Sequence, residues 1–484
     1  MKKQCFNPYL PSWEYVPDGE PHVFGDRVYV FGSHDQFNNC VFCPGDYVCY
    51  SASVNDLTDW KYEGIIYKKD QDPAQDGRMV LYAPDVTQGP DGRYYLYYVF
   101  DKVGFVSVAV CGTPAGKYEF YGYVHYKDGT RLGEREGDMP QFDPGVLTEG
   151  NKTYLYTGFS GNHMKDRIGA MATVLGPDML TVIEEPVVVI PGDEYAESKG
   201  KHNTSCTYKI ASPENWSGFK NHEFFEAPSI RKIKDTYYLV YSSAVMHELC
   251  YATSKNPADN FVYQGVIVSN ADIGISSYKP ALMPCASGAN NHGGFECING
   301  QYYMFYHRHT NNSWYSRQGC AEKITVTKEG LIPQVEITSC GLNGGPLEGK
   351  GKYPVYIACN NFVKGQENLY VGGNVPKITQ DGRDGDEEEG YLVNIMNGAT
   401  FGFKYFDFKN LKKISIETRG YFQGCFEVRT KWDGEVLGKI NVEFSNFWEF
   451  NTGDVKISDG VSALYFTFNG SGNGQLKTFE LITD

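Results

Sequence analysis

The chain is 484 residues long, which favours two or three domains over a single core. Its residues are 41% apolar, 21% charged and 15% aromatic, a balance that excludes a disordered chain or a coiled coil. A formal charge of −15 opposes non-specific association with nucleic acid or an anionic membrane, and neither is expected as a partner.

From the N-terminus, Met1-Lys2-Lys3 is followed by no apolar stretch of signal-peptide length, and the greasiest passage, 181–190, is interrupted by Glu184, Glu185 and Pro186. Thirteen cysteines, an odd number without a repeated frame, read as free thiols in a reducing compartment, so the expected location is cytoplasmic. Cys40 and Cys43 form a C-x-x-C pair, but no second pair stands at zinc-finger spacing, and they read as small buried hydrophobes.

The 54 glycines and 23 prolines suit many short strands joined by tight turns. Five segments share one pattern, a turn residue followed by aromatic or β-branched alternation: GDRVYVF at 25–31, DGRYYLYY at 91–98, GNKTYLY at 150–156, KDTYYLVY at 234–241 and NGQYYMFY at 299–306. With Tyr29, Tyr95, Tyr154, Tyr238 and Tyr303 as landmarks, the intervals are 66, 59, 84 and 65 residues. Units too small to bury their own faces, repeated in this way, predict radially arranged sheets, a five-bladed β-propeller. Between 9 and 12 residues before each landmark stands a polar or ionisable residue: Glu20-Pro21, Pro84-Asp85, Asp143-Pro144, Glu226-Ala227-Pro228 and Asn291-His292. On the innermost strands of a propeller these would converge on one end of the channel. Carboxylates held that close raise one another's proton affinity, as acid–base catalysis requires.

At these residues the chain resembles glycoside hydrolase family 43, five-bladed propeller enzymes that remove arabinofuranosyl or xylosyl units from plant polysaccharides with inversion. The resemblance runs over roughly 7–341. Tyr82-Ala83-Pro84-Asp85-Val86 is similar to the second-blade motif, which implies that Asp85 tunes and orients the acid. Glu223-Phe224-Phe225-Glu226-Ala227-Pro228 is similar to the general-acid motif, which implies Glu226 as proton donor. Asn290-Asn291-His292-Gly293-Gly294 resembles the fifth-blade segment whose histidine sits deep in the channel, which implies His292 as a sugar contact or the ligand of a calcium or other divalent cation. Ser316-Arg317-Gln318 matches the place of an arginine near the acid, and Asp143 is implied as a pocket residue. The family's base is an aspartate followed by proline, whereas this chain reads Pro17-Asp18-Gly19-Glu20-Pro21. Aligned by the proline, Glu20 takes the base position. Asp18, two residues earlier and on the same face of an extended segment, is the alternative. Phe24, Tyr82, Phe225 and Trp314 are candidate pocket walls, since the C–H face of a pentose packs on rings. His307 and His309 read as loop residues.

Beyond 341 the texture changes. Residues 342–352, rich in glycine, read as a connector. Alternating segments at 413–417, 425–429, 438–442, 463–468 and 478–481 are then spaced as in a β-sandwich over 353–484, and their order resembles carbohydrate-binding module family 6. The module usually begins with Ala-Glu and uses the glutamate for a structural calcium, but this chain has Ala358-Cys359-Asn360. The acidic run Asp384–Glu389 reads as a solvated loop and Gly470–Gly474 as a turn.

The expected architecture is therefore an all-β chain, a five-bladed propeller over 1–341 followed by a jelly-roll-like β-sandwich. The resemblance implies an exo-acting inverting hydrolase of arabinoxylan- or xylan-derived oligosaccharides from plant cell walls, with no organic cofactor. α-L-Arabinofuranosidase comes first and β-xylosidase second, and a non-catalytic sugar-binding propeller is the alternative of a different class.

Overall fold

The computed structural model describes residues 3–160, 168–192 and 206–483. Its first part is five antiparallel sheets. Blade 1 holds β1 (Glu20–Phe24), β2 (Arg27–Phe31), β3 (Tyr47–Ser53) and β4 (Asp56–Tyr67); blade 2 holds β5 (Asp85–Gln88), β6 (Tyr94–Tyr98), β7 (Ser107–Cys111) and β8 (Glu119–Tyr123). In blade 3, β9 (Gly145–Glu149), β10 (Lys152–Thr157), β11 (Gly169–Leu175) and β12 (Val182–Pro191) are joined by a short parallel β13 (Lys209–Ile210). Blade 4 is β14 (Phe224–Ile233), β15 (Thr236–Ser243), β16 (Glu248–Ser254) and β17 (Val262–Ser269); blade 5 is β18 (Phe295–Ile298), β19 (Gln301–His309) and β20 (Arg317–Ile324). The innermost strands β1, β5, β9 and β14 follow one another around the channel, and β18 returns to β1.

The repeated segments are the hairpins between the first two strands of each blade. Their connections use left-handed residues, Gly25, Gly92, Gly150, Lys234 and Asn299-Gly300, which is why glycine and polar residues recur there. The following strands are greasy throughout because both faces of a blade are covered. Leu96 and Tyr98 pack toward blade 1 with Phe31 and Tyr47, while Tyr95 and Tyr97 pack toward blade 3 with Val146 and Leu155. Tyr237, Leu239 and Tyr241 face blade 3, and Tyr238 and Val240 face blade 5. Blade 5 meets blade 1 through Phe305, Ala321, Val28 and Val30. The N-terminal segment completes the ring. Asn7 donates to Ala321 O and Thr338 O, each at 3.0 Å, and accepts from Ala321 N at 2.9 Å, and Tyr9 N donates to Gly319 O at 3.3 Å beside β20.

The C-terminal unit comprises β21 (Leu347–Glu348), β22 (Gly351–Pro354), β23 (Asn360–Val363), β24 (Lys377–Thr379), β25 (Tyr391–Ile395), β26 (Ala399–Phe408), β27 (Leu411–Arg429), β28 (Gly438–Val442), β29 (Ser445–Asp454) and β30 (Gly460–Thr483), all in one continuous sheet. Two of the expected pairs of strands are halves of single long ones: 413–417 and 425–429 both lie in β27, and 463–468 and 478–481 both lie in β30. The glycines read as a turn at 470–474 lie inside β30, where Gly472 is left-handed and a Cβ on Gly470 would meet Gln423 O at 2.2 Å. They let two paired strands bend together, so the sheet curls around a core of Phe401, Phe403, Phe426, Phe466 and Phe479.

The segment 342–352 is not a free connector. Leu342 is buried against the blade 1 and blade 5 core, β21 pairs with β26, and β22 pairs with β30. The C-terminal unit is in turn seated on the propeller. Lys404 Nζ, fully buried, reaches Asp272 at 3.0 Å and Glu336 at 3.2 Å and lies 3.6 Å from the centre of the Tyr278 ring. Phe362 stacks on Trp432 at 4.3 Å in a core shared with blades 4 and 5. Removing one partner of a buried pair leaves the other charge uncompensated, so Lys404→Met is expected to lower unfolding stability by about 3–5 kcal/mol. A shift of the urea midpoint worth under about 1 kcal/mol would show that the pair does not seat the two units.

Candidate active site

One end of the channel opens into a cavity of about 410 Å³. Asp18, Asp143, Glu226, His292 and Arg317 line its base, and Phe42, Phe159, Phe225, Met246, Trp314 and Tyr315, all partly exposed, line its mouth. The three carboxylates sit where the chain enters an innermost strand. Asp18 precedes β1 with φ 57° and Asp143 precedes β9 with φ 46°, a left-handed conformation that aspartate tolerates better than most residues. Glu226 lies on β14, paired with Ser242 of β15, and the register is irregular on both sides of it, with Ala227 at φ 65°.

Their electrostatic surroundings differ. Asp18 receives Arg317 Nη1 at 2.9 Å and lies 3.3 Å from His307 Nδ1. Arg317 is itself held by Asp35, through Nε at 2.8 Å and Nη2 at 3.0 Å, and by Cys43 Sγ at 3.2 Å. Burial would favour a protonated Asp18, but the guanidinium and His307 outweigh it and hold the carboxyl well below its usual range. Among the described residues no cation pairs with Glu226, although His292 and Arg317 pull on it from farther off. Burial, reinforced by the charge of Asp143, raises it well above the ordinary glutamate value. Asp143 is pushed up to about 7 by burial and by Asp18, against the pull of His292 and Arg317. His292 stands between two carboxylates, Nδ1 3.8 Å from Asp143 and Nε2 3.7 Å from Glu20. Burial opposes its charge, yet Glu20, Asp143 and Asp18 raise it to about 9.

Five of the expected residues, Asp18, Asp143, Glu226, His292 and Arg317, thus meet at the cavity, with Tyr82, Phe225 and Trp314 among its walls. Glu20 and Asp85 do not line it. Glu20 is buried in the channel beneath, accepting from Ser229 Oγ at 2.9 Å and Arg231 Nη2 at 3.0 Å, and a Cβ on Gly294 would stand 2.5 Å from its Oε2. Asp85 accepts from His22 Nε2 at 2.6 Å and from Val86 N and Val146 N, each at 2.7 Å, tying the first three blades together. Phe24 belongs to the blade 1 and blade 2 core. His307 and His309 lie on β19 rather than in a loop, and His307 supports Asp18 from behind. Phe42, Cys43, Phe142, Phe159, Met246, Asn290 and Tyr315 also line the cavity. Most come from loops with no periodic signal. Phe142, next to Asp143, and Asn290, inside the fifth-blade motif, were the two within reach of the motifs.

Two groups of described side chains bring three possible ligand atoms within 4.8 Å of one another: Glu20, His22 and Asp85 in the channel, and His222, Glu248 and Cys250 on the outside of blade 4. The second is joined by a 2.6 Å bond between His222 Nδ1 and Glu248. In the first, Glu20 Oε1 is the carboxylate oxygen without a hydrogen-bond partner, and Arg231 donates to its sibling oxygen. Calcium takes six to eight oxygen ligands, so this set does not fit a directly bound calcium ion. His292 belongs to neither group.

The sequence pattern of Glycosyl hydrolases family 43 matches residues 17–332. The chain belongs to this family and is a glycoside hydrolase. It is 62% identical, over the whole of both chains, to a protein of Thermoclostridium stercorarium described as "Xylosidase/arabinosidase". A protein of the same description from Bacteroides ovatus is 27% identical over 62% of this chain and 87% of its own. Among solved structures, a family 43 beta-xylosidase/alpha-arabinofuranosidase from a compost microbial metagenome, bound to xylotriose in a calcium-free form, superposes with TM-score 0.50 at 25% identity, covering 67% of this chain and 96% of its own. An arabinoxylan arabinofuranohydrolase from Bacillus subtilis shares the fold over 99% of this chain and 97% of its own, with TM-score 0.52 at 19% identity.

The position of Glu20 carries its own expectation. Glu20→Gln removes the nearer of the two carboxylates that face Arg231, leaving Glu296 at 3.8 Å, and is expected to cost about 3 kcal/mol in unfolding stability at neutral pH. Burial favours its protonated form, but His292 and Arg231 outweigh it and lower the proton affinity of Glu20 in the fold. The stability it supplies is therefore present above the ordinary glutamate range and lost as pH falls. The gap between wild type and variant should narrow in denaturation curves recorded on acidification; a gap that widens would contradict the pairing.

Proposed function

We propose that the protein is an exo-acting, inverting pentosidase that releases arabinofuranosyl or xylosyl units from arabinoxylan- or xylan-derived oligosaccharides of plant cell walls. In this reading Glu226 is the general acid, Asp18 the general base, and Asp143 keeps Glu226 protonated. The observation that carries it is the unequal setting of two carboxyls in one cavity: Asp18 takes the Arg317 guanidinium at 2.9 Å, which lowers its proton affinity, while burial and Asp143 raise that of Glu226. Inversion needs one carboxylic acid to protonate the departing oxygen and an opposing carboxylate to deprotonate a water, with roughly 6.5–9.5 Å between them. The aromatic mouth supplies flat apolar surfaces for sugar C–H faces, and Arg317, His292 and Asn290 supply polar partners for hydroxyls. The description of the 62% identical relative names both sugars; of the two, our reading puts arabinofuranosyl release first. The thirteen free cysteines suit a reducing compartment.

A sugar-binding propeller without turnover would be the reading if a glutamate were the sole candidate base; the presence of Asp18 in the cavity supports turnover instead. Asp18→Asn and Glu226→Gln are each expected to reduce kcat on nitrophenyl arabinofuranoside or xyloside by about 10²–10⁴-fold, while Glu20→Gln stays within about tenfold of wild type. Loss of turnover in Glu20→Gln with retention in Asp18→Asn would reverse the assignment. Proton NMR of the first-formed anomer reports the sugar and the stereochemistry together.

The pH profile tests Asp143. Activity needs Asp18 unprotonated and Glu226 protonated, so it should fall on both sides. Because the Asp143 charge raises Glu226, Asp143→Asn is expected to move the alkaline limb of kcat/KM downward by about one pH unit. An unmoved or raised limb would exclude this role.

A further inference from the structure

Much of the pocket mouth is carried by loops that the C-terminal unit holds in place. The connection from β17 to β18, which bears Asn290, is pinned at Gly288, whose N–H donates to Leu369 O at 2.6 Å and whose C=O accepts from Val371 N at 3.1 Å. Between these bonds Tyr370 directs its hydroxyl to Val245 O at 3.3 Å, next to Met246 in the turn from β15 to β16. Asn312, two residues before Trp314, accepts from Gly372 N at 2.8 Å and donates to Gly373 O at 2.9 Å. Its neighbour Asn311 donates its N–H to Ile378 O at 2.7 Å and accepts from Thr379 Oγ1 at 3.2 Å. Farther along, Asp384 accepts from Phe37 N at 2.7 Å, on the loop that bears Phe42 and Cys43. The other side of the mouth relies on the propeller itself: Tyr82 N donates to Val99 O at 3.0 Å, and Phe142 O accepts from Gly158 N at 2.9 Å.

We propose that the segment 369–384 of the C-terminal unit is a specificity-determining brace, fixing Met246, Asn290, Trp314 and Tyr315 where the part of the substrate beyond the cleaved sugar rests. The inference builds on the assignment of the cavity as the catalytic site. The charged base of the cavity, buried except for the partly exposed Glu226, takes the sugar being released. The rest of an oligosaccharide must leave past the partly exposed rings at the mouth. Loops that carry contacts of this kind lose conformational freedom on binding unless they are already ordered, and backbone bonds to a second unit order them beforehand. Asn312 and Tyr370 are positioning residues in this scheme. They act through the loops they hold and leave the acid and base untouched.

The brace therefore acts on oligosaccharide affinity rather than on chemistry. The test compares wild type, Asn312→Ala and Tyr370→Phe on an oligosaccharide, xylotriose or an arabinosyl-substituted xylotriose, and on the nitrophenyl glycoside of the same released sugar. For Asn312→Ala the KM for the oligosaccharide is expected to rise about 5–10-fold with kcat within about twofold, and both constants for the nitrophenyl glycoside to stay within about twofold. Tyr370→Phe, which removes one hydroxyl and is the milder change if Asn312→Ala fails to fold, is expected to raise the oligosaccharide KM about 2–3-fold in the same pattern. Unchanged oligosaccharide KM in both variants, or an equal fall in kcat on both substrates, would overturn the brace. If Glu226→Gln also keeps its turnover, the catalytic assignment fails as well; if Glu226→Gln is inactive, the brace alone is refuted.

Discussion

The buried guanidinium of Arg317 is the contact on which the site depends. Wedged between Asp35 and Asp18, it makes an anion out of a carboxyl that burial alone would keep neutral. Glu226 shares the cavity with no cation paired to it among the described residues, and burial with the Asp143 charge strengthens its hold on a proton. This inequality needs rigid surroundings, because a guanidinium free to swing would compensate whichever carboxylate it reached. Asp35 supplies that rigidity through a two-pronged contact, and His307 closes the other side of Asp18.

Beneath the cavity a second set of charges serves the architecture. Glu20 joins blade 1 to blade 4 through Ser229 and Arg231, Asp85 joins blade 2 to blades 1 and 3, and His292 of blade 5 stands between Glu20 below and Asp143 above. The two layers are thus coupled through one imidazolium. Gly294 allows the backbone to pass directly against Glu20, where any side chain would collide with its carboxylate. Structural and chemical charges lie only two residues apart in sequence, at Asp18 and Glu20.

That short separation explains which parts of the site were legible. The five blades announced themselves because strands covered on both faces must be apolar throughout, and because each hairpin needs a left-handed turn residue. Proline misled the alignment at the first motif, since it marked strand entry and not the cavity. Distance to the landmark tyrosine separates the layers better: 11 residues for Asp18, Asp143 and His292, and 12 for Glu226, where the irregularity beside Ala227 adds one. Glu20 and Asp85, at 9 and 10, fall deeper along their strands. Phe42, Met246 and Tyr315 left no trace in any pattern because loops have no period. The seating of Lys404 on Asp272 was equally silent, for it joins residues 132 positions apart. In the C-terminal unit, strand segments were recognisable but their continuity was not, because glycine signals a bend and a turn alike.

The way the ring is completed bears on how the molecule comes into being. Asn7 and Tyr9 meet Ala321 and Gly319, so a segment that precedes the first blade finds its partners only in the fifth. During synthesis four blades emerge and assemble as an open arc, with the faces that will join the first blade to the fifth still wet. Only after residue 324 has left the ribosome does the arc close, through contacts of very long sequence separation that carry a high loop-closure cost. The pocket, which draws Asp18 from the beginning of the arc and Arg317 from its end, does not exist before that moment. The pocket therefore waits on the meeting of the first blade with the fifth.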